Sequence, residues 1–183
     1  MRQTFLRRLV GAAMFEVATY EEVEGDRSAT AQALAVVVFS SLAAGIGARG
    51  LNGARDTLAF FAGASVIALL VWAAWALVTF EVGSRLLAAP TTKADPGELL
   101  RTLGFAAAPG LIQVLGVFPG AMIPVFALAV VWTLAASVVA VRQALDYDST
   151  GRAMAVCGLG GILSLLVAVV LGLAFGPILS GAD

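Results

Sequence analysis

From residue 102 to residue 141 the chain runs for forty positions without one charged side chain. A helix needs about 20 apolar residues to cross the hydrocarbon core of a bilayer, so this run suits two crossings. As one helix it would be about 60 Å long at 1.5 Å per residue, too long for a single membrane. Inside it lies "GFAAAPGLIQVLGVFPG", residues 104–120, where two Pro-Gly pairs interrupt what should be continuous helix.

The remaining sequence repeats the pattern of long uncharged runs between short charged segments. There are 21 uncharged residues between Arg27 and Arg49, 24 between Asp56 and Glu81, and 30 from 153 to 182. The chain is 60% hydrophobic and 13% charged, with mean hydropathy +0.96. A soluble domain is about 45–50% apolar and about 25% charged. The expected fold is therefore all-α: a polytopic membrane helix bundle with five transmembrane helices, at about 29–48, 57–80, 98–118, 121–142 and 152–180. These form one membrane domain, 29–183, preceded by an N-terminal segment, 1–28.

Basic residues orient the bundle, because they concentrate on the cytoplasmic side. With the N-terminus in the cytoplasm, Arg2, Arg7, Arg8, Arg27, Arg85, Lys93, Arg101, Arg142 and Arg152 fall inside, and Arg49 and Arg55 outside. That is nine against two, and it requires the forty-residue run to cross twice. A single crossing would move Arg142 and Arg152 outside, leaving seven against four. The C-terminus then lies on the opposite side, and the expected location is the cell inner membrane.

The two Pro-Gly pairs separate on this topology. Phe118-Pro119-Gly120 is expected as the tight outer turn between the third and fourth spans, with Pro124 in the first turn of the next helix. Pro109-Gly110 falls inside the third span, where proline removes a backbone bond and a kink is expected. Neighbouring helices or hydroxyls must then satisfy the freed carbonyl. Asp95, Pro96 and Glu98 read as the cap, first residue and first turn of the third span. Asp148 or Ser149 can cap the fifth. The segment "FLRRLVGAAMFEVATYEEVEGD" sets Phe5, Leu6, Leu9 and Val10 against Arg7 and Arg8. It either lies along the cytoplasmic membrane surface as an amphipathic helix or is a solvated lead-in.

Reactive groups are few. The chain has no histidine and one cysteine, Cys157, in an apolar run. The uncharged runs that form the hydrocarbon parts of the spans carry no Asp, Glu, Lys or Arg, whereas intramembrane proteolysis and proton-coupled transport rely on such groups. No enzyme activity, cofactor or metal site is expected, and no basic stripe points to nucleic acid. Candidate structural or interaction residues remain. Arg142, Asp146, Asp148 and Arg152 lie on the cytoplasmic side, read first as loop charges, caps and ion pairs and second as a phosphate or cation site. Gln113 supplies an amide near the Pro109 break. Gly172 and Gly176 form a GxxxG, and with "CGLGG" (157–161) they give the fifth span a smooth flank for close packing.

"TYEEVEGDRSATAQALAVVVFSSLAAGIG", "TKADPGELLRTLGFAAAPGLIQVLG" and "VWTLAASVVAVRQALDYDSTGRAMAV" together resemble the Ypt-interacting-protein (Yip) domain family in its bacterial form. The most specific parts are Gly104, Phe105 and Pro109, spaced Gly-aromatic-x-x-x-Pro, and the segment 132–150. The resemblance implies five membrane helices and a cytoplasmic N-terminus, matching the count above. Eukaryotic members bind small Rab-type GTPases and act in vesicle transport through the Golgi, a role not expected here, since about 28 residues precede the first span in place of the long cytoplasmic N-terminal region of those members. The family brings no catalytic residues to carry over. The reading that follows is a non-enzymatic membrane protein that organises membrane or partner proteins. Its partners would be the lipid bilayer and either further copies of itself or other membrane proteins. A transporter, channel or lipid-moving protein, and an accessory subunit of a larger membrane complex, are the alternatives.

Overall fold

The computed structural model describes residues 2–49, 57–90, 92 and 95–179, without the side chains of 2, 3, 49, 57–68, 164, 165 and 167–179. Every regular element among them is helical. In chain order they are α1 (Arg2–Ala13), α2 (Val17–Gly25), α3 (Ala29–Arg49) and α4 (Thr57–Glu81), which ends in a π-helical turn, Val82–Leu86. Then come α5 (Pro96–Ala106), a 3-10 helix (Ala108–Val117), α6 (Met122–Ala144) and α7 (Thr150–Leu179). Four described stretches are long and apolar enough to cross a membrane: Ala29–Ala48, Leu69–Leu86, Pro96–Val117 and Met122–Ala144. The apolar start of α7, Thr150–Leu163, is shorter, within a helix of 30 residues.

Local chemistry fixes several boundaries where the sequence places them. Asp95 caps α5, its carboxylate accepting from the backbone N–H groups of Gly97 and Glu98 at 2.6 and 3.2 Å, with Pro96 as first helical residue. Residues 118–121 form a β-turn closed by Ala121 N–H on the Phe118 carbonyl at 3.0 Å. Pro119 takes its second position and Gly120 its third, at φ +77°. That is the type II geometry, which needs a residue tolerant of positive φ at the third position.

Between those points the third span is not a kinked α-helix. It changes type after Ala106 and continues as ten residues of 3-10 helix, a long run for this geometry. Pro109 has no N–H to give, and the Gly110 N–H bonds the Ala107 carbonyl at 2.9 Å, three residues back. The Ser40 hydroxyl on α3 donates to that same carbonyl at 2.7 Å. Pro109 and Gly110 are buried.

The tighter helix is matched to α3 through small residues. Ala33, Ser40 and Gly47, seven apart, face Gly104, Gly110 and Gly116. A Cβ on Gly104 would come 2.6 Å from the Ala33 Cβ, and one on Gly110 would come 3.2 Å from the Ser40 Cβ. A Cβ on Gly47 would overlap the Gln113 carbonyl oxygen. Helices in lipid gain little from hydrophobic burial against each other, so such close backbone approach is a main source of their packing energy.

The buried core gathers at one end of the bundle. It contains Ala33 and Val36 near the start of α3, Val82 after α4, Leu99, Leu103 and Phe105 of α5, Val141 and Leu145 at the end of α6, and Val156 near the start of α7. These helices therefore alternate in direction, and their charged termini meet at this end. Tyr20 and Val23 of α2 pack into the same core.

Candidate functional site

At the charged end, α1 and α2 form a hairpin bonded to the bundle at several points. Arg8 is buried on α1; its guanidinium donates to Glu22 at 2.9 Å, to Asp26 at 2.7 Å and to the Gln32 amide oxygen at 3.1 Å. Arg7 pairs with Glu22 from the exposed side. Burial alone would lower the Arg8 pKa, but Asp26 and Glu22 outweigh it and raise it. The Ser28 hydroxyl, then Arg8, hold Asp26 down at about 2. Arg101, buried on α5, donates to the carbonyls of Val23 and Glu24 in the last turn of α2, where a cation complements the helix dipole. Beneath these polar contacts, the Phe5 and Phe105 rings lie 6.4 Å apart.

The turn between α1 and α2 is closed without glycine. Phe15 has φ 61°; its N–H bonds the Ala12 carbonyl and the Glu16 N–H the Gly11 carbonyl, which is the Schellman pattern. Tyr20 Oη donates to the Ala12 carbonyl at 3.0 Å, and Trp132 Nε1 of α6 donates to the Ala13 carbonyl at 2.7 Å. The carbonyls that end α1 are thus all used. The opposite face of α1 turns outward, with Leu6 57%, Val10 61% and Met14 67% exposed.

The same motif ends α6. Asp146 has φ 50°, its N–H bonds the Gln143 carbonyl, and the Tyr147 N–H bonds the Arg142 carbonyl. Tyr147 fixes this turn to the rest of the bundle. Its hydroxyl donates to the Gly83 carbonyl of the π-helical turn at 2.6 Å, with the carbonyl of the cap residue Leu87 also within reach at 3.1 Å, and Arg142 Nε donates to the Tyr147 carbonyl at 3.2 Å. The Arg152 guanidinium stands 5.7 Å from the Tyr147 ring centre, within cation–π range.

Between the two turns opens a cleft of about 670 Å³. Its wall is apolar: Phe15 and Val17 from the hairpin, Val138 and Val139 from α6. The rest of its lining is polar: exposed Arg142, Asp146, Asp148 and Thr150, which form its outer rim, with half-buried Gln143 and buried Tyr147 behind them. Positive φ in a bulky side chain is rare and costs about 1–3 kcal/mol, and such strain gathers at functional sites. Phe15 and Asp146 are the described non-glycine residues with positive φ, and both line this cleft.

Arg142, Asp146 and Asp148 therefore stand at one cleft, and Arg152 stands beside it on Tyr147. Pro109, Gly110 and Gln113 lie apart, in the third span against α3, and Pro119-Gly120 lies at the far turn. Gly172 and Gly176 fall in α7, with surroundings outside the described residues. Gly160 packs inward, a Cβ there meeting Thr79 Oγ1 at 2.8 Å, while nothing stands within 4 Å of one on Gly158 or Gly161. Arg8, Phe15, Arg101, Trp132 and Tyr147 were not legible as site residues in the sequence. A weak signal exists for Tyr147 alone, an aromatic hydroxyl between a helix end and the next helix start, which when buried needs a partner. Among the described residues no group of three or more Cys, Asp or Glu is gathered for a metal.

Antiparallel apolar helices, small-residue seams and a charged end define a multi-pass membrane helix bundle. Residues 14–172 match the Yip1 domain, so the chain belongs to the Yip1 domain family. The match begins after α1. No curated protein and no solved structure matches the chain.

Proposed function

We propose that the protein is a five-span, non-enzymatic membrane protein of the cell inner membrane that organises the bilayer and the proteins within it. Its N-terminus and charged end face the cytoplasm, and α7 is the fifth span. The α1–α2 hairpin carries this reading. One face of α1 is bonded into the bundle, the other presents Leu6, Val10 and Met14, and the turn adds exposed Phe15 and Val17.

Trp132 supports a position of the hairpin tip at depth in the bilayer. It lies ten residues before Arg142 on α6, about 15 Å along the helix, and it donates to the end of α1. A hairpin tip at that level enters the cytoplasmic leaflet, where unbonded carbonyls cost several kcal/mol each. The carbonyls ending α1 have partners, and the turn's carboxylate, Glu16, folds back to accept from Thr19 Oγ1 at 2.7 Å. Such an amphipathic insertion adds volume to one leaflet, and its binding is sensitive to curvature.

Vesicle partitioning tests the proposal. Full-length protein reconstituted into liposomes of mixed size is expected to enrich in the smallest, and Leu6→Asn/Val10→Asn/Met14→Asn is expected to remove the enrichment while keeping the helical content. Equal density of both proteins on small and large vesicles would overturn it.

A further inference from the structure

We propose that the cleft between the hairpin turn and α6 binds one zwitterionic aminophospholipid, with its headgroup at the polar mouth and its glycerol and first acyl carbons on the apolar wall. The proposal rests on the hairpin lying in the leaflet.

The cleft's composition selects this ligand class. A free anion or soluble metabolite would find half of the lining useless, since Phe15, Val17, Val138 and Val139 offer only apolar contact. An acyl chain alone would leave the mouth unused. A phospholipid satisfies both halves, and exposed Met14, next to Phe15, and Leu134, one turn before Val138 on α6, extend the apolar lining toward the bilayer. About 670 Å³ suits a headgroup with its glycerol and the chain roots, but not a whole lipid.

Charge at the mouth narrows the headgroup. Arg142 is exposed, and with Nε on the Tyr147 carbonyl its two terminal nitrogens remain available for a phosphate. Asp148 stands on the same rim and complements an amine. Arg142 and Asp148 on one rim match a headgroup with both a phosphate and a primary ammonium; a purely anionic headgroup would meet the Asp148 carboxylate with like charge. Arg152, over the Tyr147 ring, braces this loop. The rim is set by two strained turns from distant parts of the sequence, at Phe15 and Asp146, so its shape is built in before a ligand arrives.

Native mass spectrometry of the full chain, released from nanodiscs of phosphatidylethanolamine, phosphatidylglycerol and phosphatidylcholine in equal parts, tests this directly. The expected result is one retained phosphatidylethanolamine per chain. Arg142→Gln is expected to cut retention at least about tenfold, the effect of losing one charged hydrogen-bonded contact. Asp148→Asn should keep a bound lipid but lose the preference for phosphatidylethanolamine over phosphatidylglycerol. Val139→Trp fills the wall without touching the charges and should abolish retention.

Equal retention of the three lipids by the unmodified chain would overturn the proposal, as would retention unchanged in Val139→Trp. Competition by inorganic phosphate as strong as by dihexanoyl-phosphatidylethanolamine would show a phosphate site without a lipid. A bilayer probe at residue 14 separates the two readings. If that residue is buried in lipid but no adduct forms, the cleft proposal fails alone; if it is exposed to water, the hairpin reading itself fails.

Discussion

Glu24 shows how one side chain at the charged end can set a pH dependence. It is half-buried in the last turn of α2, and its pKa is pushed up to about 7, by burial first and then by Glu98, Asp146 and Glu21, with Arg101 opposing. The folded protein therefore holds a proton that the unfolded chain, at the ordinary value of 4.5, has released. Between those values the native state binds more protons, so stability falls as pH rises from 4.5 to about 7 and levels off above. Glu24→Gln removes that loss. Its melting temperature in detergent is expected to exceed the parent's at pH 8 and to converge with it near pH 4.5; a difference independent of pH would contradict the assignment. Asp26 acts in the opposite direction, its contribution present above the ordinary 3.8 and lost as pH falls toward about 2.

At the scale of elements, the seam between α3 and the third span is the most demanding contact. Gly47→Ala places a methyl inside the Gln113 carbonyl, and overpacking of this kind costs about 1–3 kcal/mol. Gly161→Ala, with open space at the same atom, should be neutral or slightly stabilising, since alanine is the better helix residue. Thermal unfolding of the two variants in one detergent checks the contrast; equal melting temperatures would mean the seam is loose. This seam also marks the limit of the sequence reading. The Asp95 cap and the Pro119-Gly120 turn were legible because neighbouring residues determine them. Pro109 announced a break, but the ten-residue 3-10 helix depends on Ser40 and Gly47, more than sixty residues away in the chain. The smooth flank legible in α7 is likewise divided by its neighbours, with Gly160 turned toward Thr79 and Gly158 and Gly161 outward.

For the whole molecule, apolar run lengths reveal the crossing helices but not what happens to a mixed segment such as 2–25. Its amphipathic pattern allows a surface helix or a solvated one. The contacts that dock it against the bundle come from Arg101 and Phe105 on α5 and Trp132 on α6. Arg142, Asp146 and Asp148 were visible as a charged cluster, while the cleft they border needs Phe15 and Val17 from that hairpin. Both the proposed insertion and the lipid cleft depend on where the hairpin tip sits. The direct measurement is fluorescence at residue 14 in liposomes, with Met14→Cys labelled in a Cys157→Ala background and Arg27→Cys as the reference. Quenching by acyl-chain-brominated lipids, with protection from aqueous iodide that Arg27→Cys lacks, is the predicted result. Iodide quenching at residue 14 as strong as at residue 27 would contradict it.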